Sequence, residues 1–207
     1  MLNNKTVSEF TTDLASNAPT PGGGSVAALI GALGVSLTGM VAALTVGNSR
    51  YAASHTLMQQ VIQEANELRL ELVALIDKDA EAFSLVSAAF AMPKSNEDEI
   101  KRRREAIQAA LHACTKPPLE IMHACMRALR VTEKAIEGYN PSAASDLGVA
   151  ALGLGAAMRS AWLNILINLG GITDVDCAAQ FRAEGEALLA VAIPLSEKIY
   201  HVILDSL

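Results

Sequence analysis

Val26-Ala-Ala-Leu-Ile-Gly-Ala-Leu-Gly-Val-Ser-Leu-Thr-Gly-Met-Val-Ala-Ala-Leu-Thr-Val46 contains no charged residue. It is long enough to cross a bilayer, which takes about 20 apolar residues. Ala and Gly dominate it, however, and Ser36, Thr38 and Thr45 interrupt the larger apolar residues, so it reads as a buried central helix rather than a membrane span. Residues 142–169 have the same character, with Asp146 near their start. Helices apolar almost all round belong in the middle of a bundle, and the remaining amphipathic helices are expected to wrap them. Thr6-Val-Ser-Glu9 is a capping box that opens a short helix to about Ser16. A long helix is predicted over residues 56–89 and ends at Met92-Pro93-Lys94. The next starts at a Ser95 or Asn96 cap and runs to about Glu137, interrupted or kinked at Pro117-Pro118. Asn140 and Pro141 open the second apolar helix, and Gly170-Gly171 closes it. Thr173-Asp-Val-Asp176 opens the last helix, which should bend near Pro194. The fold class is therefore all-α: a multi-helix bundle with two central apolar helices, expected as a single domain over residues 1–207.

Composition narrows the function. Half of the residues are hydrophobic but aromatics make up only 4%, so the interior must be packed with Ala, Leu, Val and Ile. A net charge of −6 argues against nucleic acid as the main partner, and an anionic ligand would need a local basic patch. Cys114, Cys125 and Cys177 are odd in number and widely spaced, which suits reduced thiols in a cytoplasmic protein and neither a disulfide framework nor a zinc site. Glu9 and Asp13 fall where a secretory leader would be uncharged, so none is expected.

Ahead of the first apolar helix stands Ala18-Pro-Thr-Pro-Gly-Gly-Gly-Ser25, a rigid turn running into three glycines. Glycine permits close approach of backbone or ligand, and the helix start that follows offers free N–H groups to an anion. It could equally be a plain helix entrance with Ser25 in the first turn. It is not a phosphate loop, because no Gly-Lys-Ser/Thr follows and no strand precedes.

Asp79 is the best candidate for chemistry. Leu68, Leu72, Leu75, Asp79, Phe83 and Val86 follow one another in steps of three and four, which puts a carboxylate in the buried stripe. Asp77 lies about 200° away around the helix, so the two cannot act as a pair. A carboxylate in apolar surroundings must be paired, hydrogen-bonded or protonated, and either a structural or a catalytic role meets that need. Asp146, Asn164 and Asn168 share one face of the second apolar helix, across Ala150, Gly153 and Ala157. Polar residues at both ends of a smooth floor suit a flat ring, although each could also serve its own or a neighbouring backbone. His55, His112, His123 and His201 lack metal-ligand spacing, and no metal site is expected. Lys101 to Arg104 reads as a solvated face, whereas Arg50 in the Gly47–Tyr51 break is a better anion contact. Ser25, Ser49 and Ser145 have no His-Asp arrangement to support nucleophilic catalysis.

Taken in order, Pro19-Thr-Pro-Gly-Gly-Gly-Ser25, Leu75-Ile-Asp-Lys-Asp-Ala-Glu-Ala-Phe83, Met92-Pro-Lys94, Ser145-Asp-Leu-Gly-Val-Ala150 and Leu163-Asn-Ile-Leu-Ile-Asn-Leu169 resemble the formimidoyltetrahydrofolate cyclodeaminase and methenyltetrahydrofolate cyclohydrolase family across essentially the whole chain. The resemblance implies an all-α homodimer acting on tetrahydrofolate derivatives, including polyglutamylated forms, with no permanently bound cofactor, metal or membrane. It also implies that Asp79 is the catalytic aspartate. Pro21, Gly22, Gly23, Gly24 and Ser25 would line the pocket, Asp146, Asn164 and Asn168 would orient the pterin, and Arg50 and Lys94 would meet the glutamate tail. Two departures stand out: Asn48 follows Gly47 where related sequences often carry lysine, and the turn before Asp146 reads Gly138-Tyr-Asn-Pro141 instead of Gly-Asn-x-Asn. The expected reaction is conversion of 5-formimidoyltetrahydrofolate to 5,10-methenyltetrahydrofolate and ammonia. The alternatives are hydrolysis of the methenyl compound to 10-formyltetrahydrofolate, and folate binding without turnover.

Overall fold

Three of the six α-helices, and a short turn that leads into a fourth, start where a side chain takes up a free N–H group. In the computed structural model, which describes all 207 residues, Thr6 and Glu9 form the expected reciprocal box at the head of α1 (Val7–Leu14). Helix α2 (Gly23–Val46) has Gly22 at its cap and no side-chain cap bond. It is followed by α3 (His55–Ala91) and by α4 (Glu97–Ala135), which Asn96 caps at Glu99 N–H. Asn140 caps the short 3-10 turn Pro141–Ala143 that leads into α5 (Ala144–Leu169), and Asp174 caps α6 (Val175–Leu204) at Cys177 N–H. No strand is present. Two boundaries differ from expectation. Gly23 and Gly24 belong to the first turn of α2 rather than to the loop before it, and α4 runs unbroken through Pro117 and Pro118.

Helices α2 and α5 lie antiparallel and close together. A Cβ on Gly34 would stand 3.0 Å from Leu154 Cγ and 3.1 Å from the Ala150 carbonyl oxygen, and one on Gly153 would meet Gly34 Cα at 3.7 Å. Ala150 and Ala157 are fully buried. The small residues read as an open floor are therefore the contact between α2 and α5, not a groove for a ligand. The hydroxyls that interrupt α2 are all engaged. Ser36 donates to the Ala32 carbonyl, and Thr45 donates to Val41 O and accepts from Asn140 N–H. Thr132 spends its proton on Ala128 O, so Thr38 is the donor in their buried 2.7 Å contact.

Helix α3 flanks α2 and α6 flanks α5, while α4 lies across the back and touches all four. From Ala110 onward α4 is core rather than wrapping, with Ile121, Met122, Cys125 and Leu129 fully buried. The wrapping of α2 and α5 is one-sided. Leu33, Met40 and Leu44 of α2, and Val149, Leu152, Leu163 and Ile167 of α5, face outward as one apolar surface, with Leu163 66% and Ile167 77% exposed. By length and composition alone, Gly23–Val46, Pro141–Leu169 and Val175–Leu204 could each cross a membrane.

Replacing Gly34 by valine should overpack the contact between α2 and α5 and cost about 1–3 kcal/mol, lowering Tm by several degrees in thermal unfolding. Gly47→Ala should leave Tm nearly unchanged, since its added Cβ meets only the Ala43 and Leu44 carbonyl oxygens, at 3.4 and 3.8 Å, both ordinary contacts.

Candidate functional site

The start of α2 meets the middle of α3 at Asp79. Gly22 has an extended backbone, and the two glycines after it open the helix with no side-chain cap, which leaves N–H groups free. A Cβ on Gly24 would overlap Asp79 Oδ1 and stand 2.7 Å from Oδ2, so only glycine admits the carboxyl there. Asp79 is 9% exposed. Burial pushes its carboxyl above the ordinary aspartate value of 3.8, while hydrogen bonds from the Ser25 hydroxyl and backbone amide pull it back.

Ser25 is fully buried, with Oγ 3.0 Å from Asp79 Oδ2 and 3.0 Å from the Ile76 carbonyl oxygen. A hydroxyl has one proton, and a carbonyl can only accept. When Asp79 is ionised, Ser25 donates to it. When Asp79 is neutral, its own O–H can donate to Ser25 Oγ while Ser25 turns to Ile76. Both protonation states therefore find a partner in the same geometry.

In front of Asp79 is a pocket of about 110 Å³. Pro19, Thr20 and Gly22 to Gly24 form one wall, Asn164, Ile167 and Asn168 of α5 another, and Phe83 and Cys114 complete it. Asn164 Nδ2 donates to the Ser160 carbonyl at 2.8 Å, and Asn168 Nδ2 donates to the Cys114 carbonyl at 3.0 Å. Burial, with the Asp79 charge second, pushes the Cys114 thiol up, and hydrogen bonding from Asn168 opposes both. No three His, Cys, Asp or Glu side chains converge to hold a metal ion. A larger cleft of about 410 Å³ lies between α3 and α4, but its walls are paired charges such as Lys134 with Glu64 at 2.7 Å, and no buried reactive group faces it.

Among the residues singled out in the sequence, Gly22, Gly23, Gly24, Asp79, Asn164 and Asn168 come together on the pocket wall, and Ser25 lies behind Asp79. Pro21 is buried in the turn, but its neighbours Pro19 and Thr20 are the ones that line the pocket. Three residues are not brought in. Asp146 shares the face of Asn164, but eighteen residues separate them, roughly 27 Å of helix rise, so one chain cannot use both on a single ring. Arg50 lies beyond the far end of α2, roughly 36 Å of helix away from the glycine turn. Lys94 is exposed in the turn after α3, past roughly 18 Å of helix from Asp79. Asp77 is buried as well, on the other side of α3, where it accepts from Leu2 N–H. Phe83, placed in the buried stripe, is 39% exposed and forms the pocket mouth. Cys114, Ile167, Pro19 and Thr20 were not singled out as wall residues.

Residues 6–187 match the family described as Formiminotransferase-cyclodeaminase. The chain is 39% identical over 203 residues to a methenyltetrahydrofolate cyclohydrolase from Methylorubrum extorquens, and the match covers 98% of each protein. It is 33% identical over 165 residues to the formimidoyltransferase-cyclodeaminase of Rattus norvegicus, covering 80% of this chain and 30% of that longer protein. The solved structure of a formiminotetrahydrofolate cyclodeaminase from Thermotoga maritima matches with a TM-score of 0.84 at 29% identity, over 99% of this chain and 100% of that one. This chain belongs to the formiminotransferase-cyclodeaminase family.

Proposed function

We propose that this chain is a one-carbon folate enzyme that works on the 5,10-methenyl bridge, with Asp79 as its acid/base. The observation that carries this reading is a carboxyl raised by burial, held at a helix start and able to keep a partner in both protonation states. Such a group sits closer to working pH than a surface aspartate, which is what proton transfer in both directions requires. The end-to-end relative from Methylorubrum extorquens favours the hydrolytic reaction. Water adds to the methenyl carbon while ionised Asp79 takes its proton. The bond from that carbon to N5 then breaks, and Asp79 returns the proton to N5. The remaining hydroxyl proton leaves to solvent as the formyl carbonyl forms on N10. The Thermotoga maritima structure supports a second reading, in which N10 closes onto the formimidoyl carbon, Asp79 takes the N10 proton and gives it to the amino group, and that group leaves as ammonia.

The partner in this proposal is a second copy of the chain. The 110 Å³ slot is well below the roughly 300 Å³ or more of a small-molecule site. Its mouth residue Ile167 is continuous with the exposed apolar face of α2 and α5. A copy seated on that face, related by a two-fold axis across α5, would bury it and bring the opposite end of its own α2–α5 pair over the slot. That end carries Asp146 and Arg50, which supplies the pterin contact and anion contact that one chain keeps out of reach. Lys94, exposed in the turn between α3 and α4, remains available to an anionic tail leaving past Phe83. No resident cofactor enters the scheme, and three free thiols suit a reducing cytoplasmic compartment.

Near-ultraviolet absorbance of 5,10-methenyltetrahydrofolate tests the reaction. Enzyme-dependent loss beyond the spontaneous rate supports hydrolysis, growth from 5-formimidoyltetrahydrofolate supports the deaminase, and silence in both refutes the proposal. Asp79→Asn should lower kcat by at least a hundredfold while staying folded. The same variant should be more thermally stable than wild type at neutral pH. Because the folded-state value is raised, the carboxyl favours folding only while protonated, and that benefit is lost as pH rises from 3.8 through the raised value. The Tm difference should therefore close below about pH 4. Light scattering should give a dimer mass for wild type and a monomer for Leu152→Asp; a monomeric wild type would refute the two-copy site.

A further inference from the structure

Pro118 has no N–H, so the Cys114 carbonyl four residues earlier loses its helical partner in the middle of α4. Asn168 Nδ2 of α5 fills that position at 3.0 Å. One turn earlier, Asn164 Nδ2 donates to the Ser160 carbonyl at 2.8 Å. A carbonyl only accepts, so in each case the atom against it must be the amide nitrogen, and the orientation of both side chains follows. Both Oδ1 atoms are left over. Neither accepts a hydrogen bond from the protein and neither is a sealed buried atom, yet both residues line the pocket in front of Asp79. The α5 wall thus offers two amide acceptors one turn apart, each oriented by one N–H of its own amide on a backbone carbonyl.

We infer that Asn164 and Asn168 read a donor–donor edge of the ligand, and that Pro118 is a positioning residue that sets the second of them by freeing the Cys114 carbonyl. The inference rests on the folate reading above. Within a 2-amino-4-oxopteridine, the edge of that chemistry is N3–H with the 2-amino group. A ring lacking the 2-amino group leaves a half-buried acceptor without a partner, which a donor-reading wall penalises by about tenfold or more.

The test compares wild type, Asn164→Ala, Asn168→Ala and Pro118→Ala with 5,10-methenyltetrahydrofolate and its 2-desamino-2-methyl counterpart. Wild type should prefer the natural ring by about tenfold in KM. One of Asn164→Ala and Asn168→Ala, the one whose oxygen faces the 2-amino group, should erase most of that preference, and the other should raise KM for both rings alike. Pro118→Ala restores an N–H that competes for the Cys114 carbonyl. It should raise KM severalfold and shift the ring preference as Asn168→Ala does, with kcat within about twofold and Tm unchanged or higher, since it removes a helix-interior proline. Loss of Tm alongside the KM change would mark general damage and overturn the positioning role, as would a KM and ring preference in Pro118→Ala that do not follow those of Asn168→Ala. Equal preference for the two rings in wild type would overturn the donor-edge reading. Should wild type turn over neither ring, the folate reading fails, and the lock is judged by NMR instead. Slow exchange of the Asn168 side-chain amide protons, lost in Pro118→Ala, upholds the lock; fast exchange in wild type overturns it.

Discussion

The structure depends on one buried carboxyl accommodated by the start of a helix. Asp79 has almost no solvent, and no cation is close enough to count among the influences on its ionisation. What makes it tolerable is the first turn of α2, where Gly24 gives up a side chain so that the carboxyl can reach the helix end and Ser25 supplies a hydroxyl and an amide. Free N–H groups and the positive end of the helix dipole favour the anion, while burial favours the neutral acid. Burial wins, and the carboxyl is raised.

That arrangement constrains the rest. For α2 to present its start to α3, its flank has to lie flat against α5, and Gly34 opposite Ala150 and Leu154 makes that approach possible. The same pairing delivers Asn164 and Asn168 to the mouth of the slot. It also separates the two ends of the α2–α5 pair, so that Arg50 and Asp146 end up far from Asp79 in their own chain. An apolar face left open along both helices is the counterpart of that separation, and it is where the proposed second copy would restore what the fold pulled apart.

Much of this was legible in the residues. Caps at Thr6, Asn96, Asn140 and Asp174 obey local hydrogen-bonding rules that need no tertiary context, and the three-and-four spacing around Asp79 announced its burial. Helical phase also put Asp146 and Asn164 on one face, correctly, but phase is blind to rise, and five turns of helix exceed any one ring. The floor between them looked open because small residues mark ligand grooves and close helix packing alike. Only the position of α2 separates the two cases. Cys114 left a fainter trace, since a proline four residues on deprives its carbonyl of a partner, but nothing local says that Asn168 would supply one. Which side of α2 and α5 stays uncovered depends on where α4 lies, and its mixed sequence did not mark it as the back of the core.

The central claim is that burial raises the Asp79 carboxyl above the ordinary aspartate value. A ¹³C NMR titration of the Asp79 side-chain carboxyl, assigned by comparison with Asp79→Asn, measures this directly. The account expects a midpoint clearly above 3.8; a midpoint at or below that value would mean that the helix start and Ser25 outweigh burial, and Asp79 would be a fixed anion instead of a proton carrier.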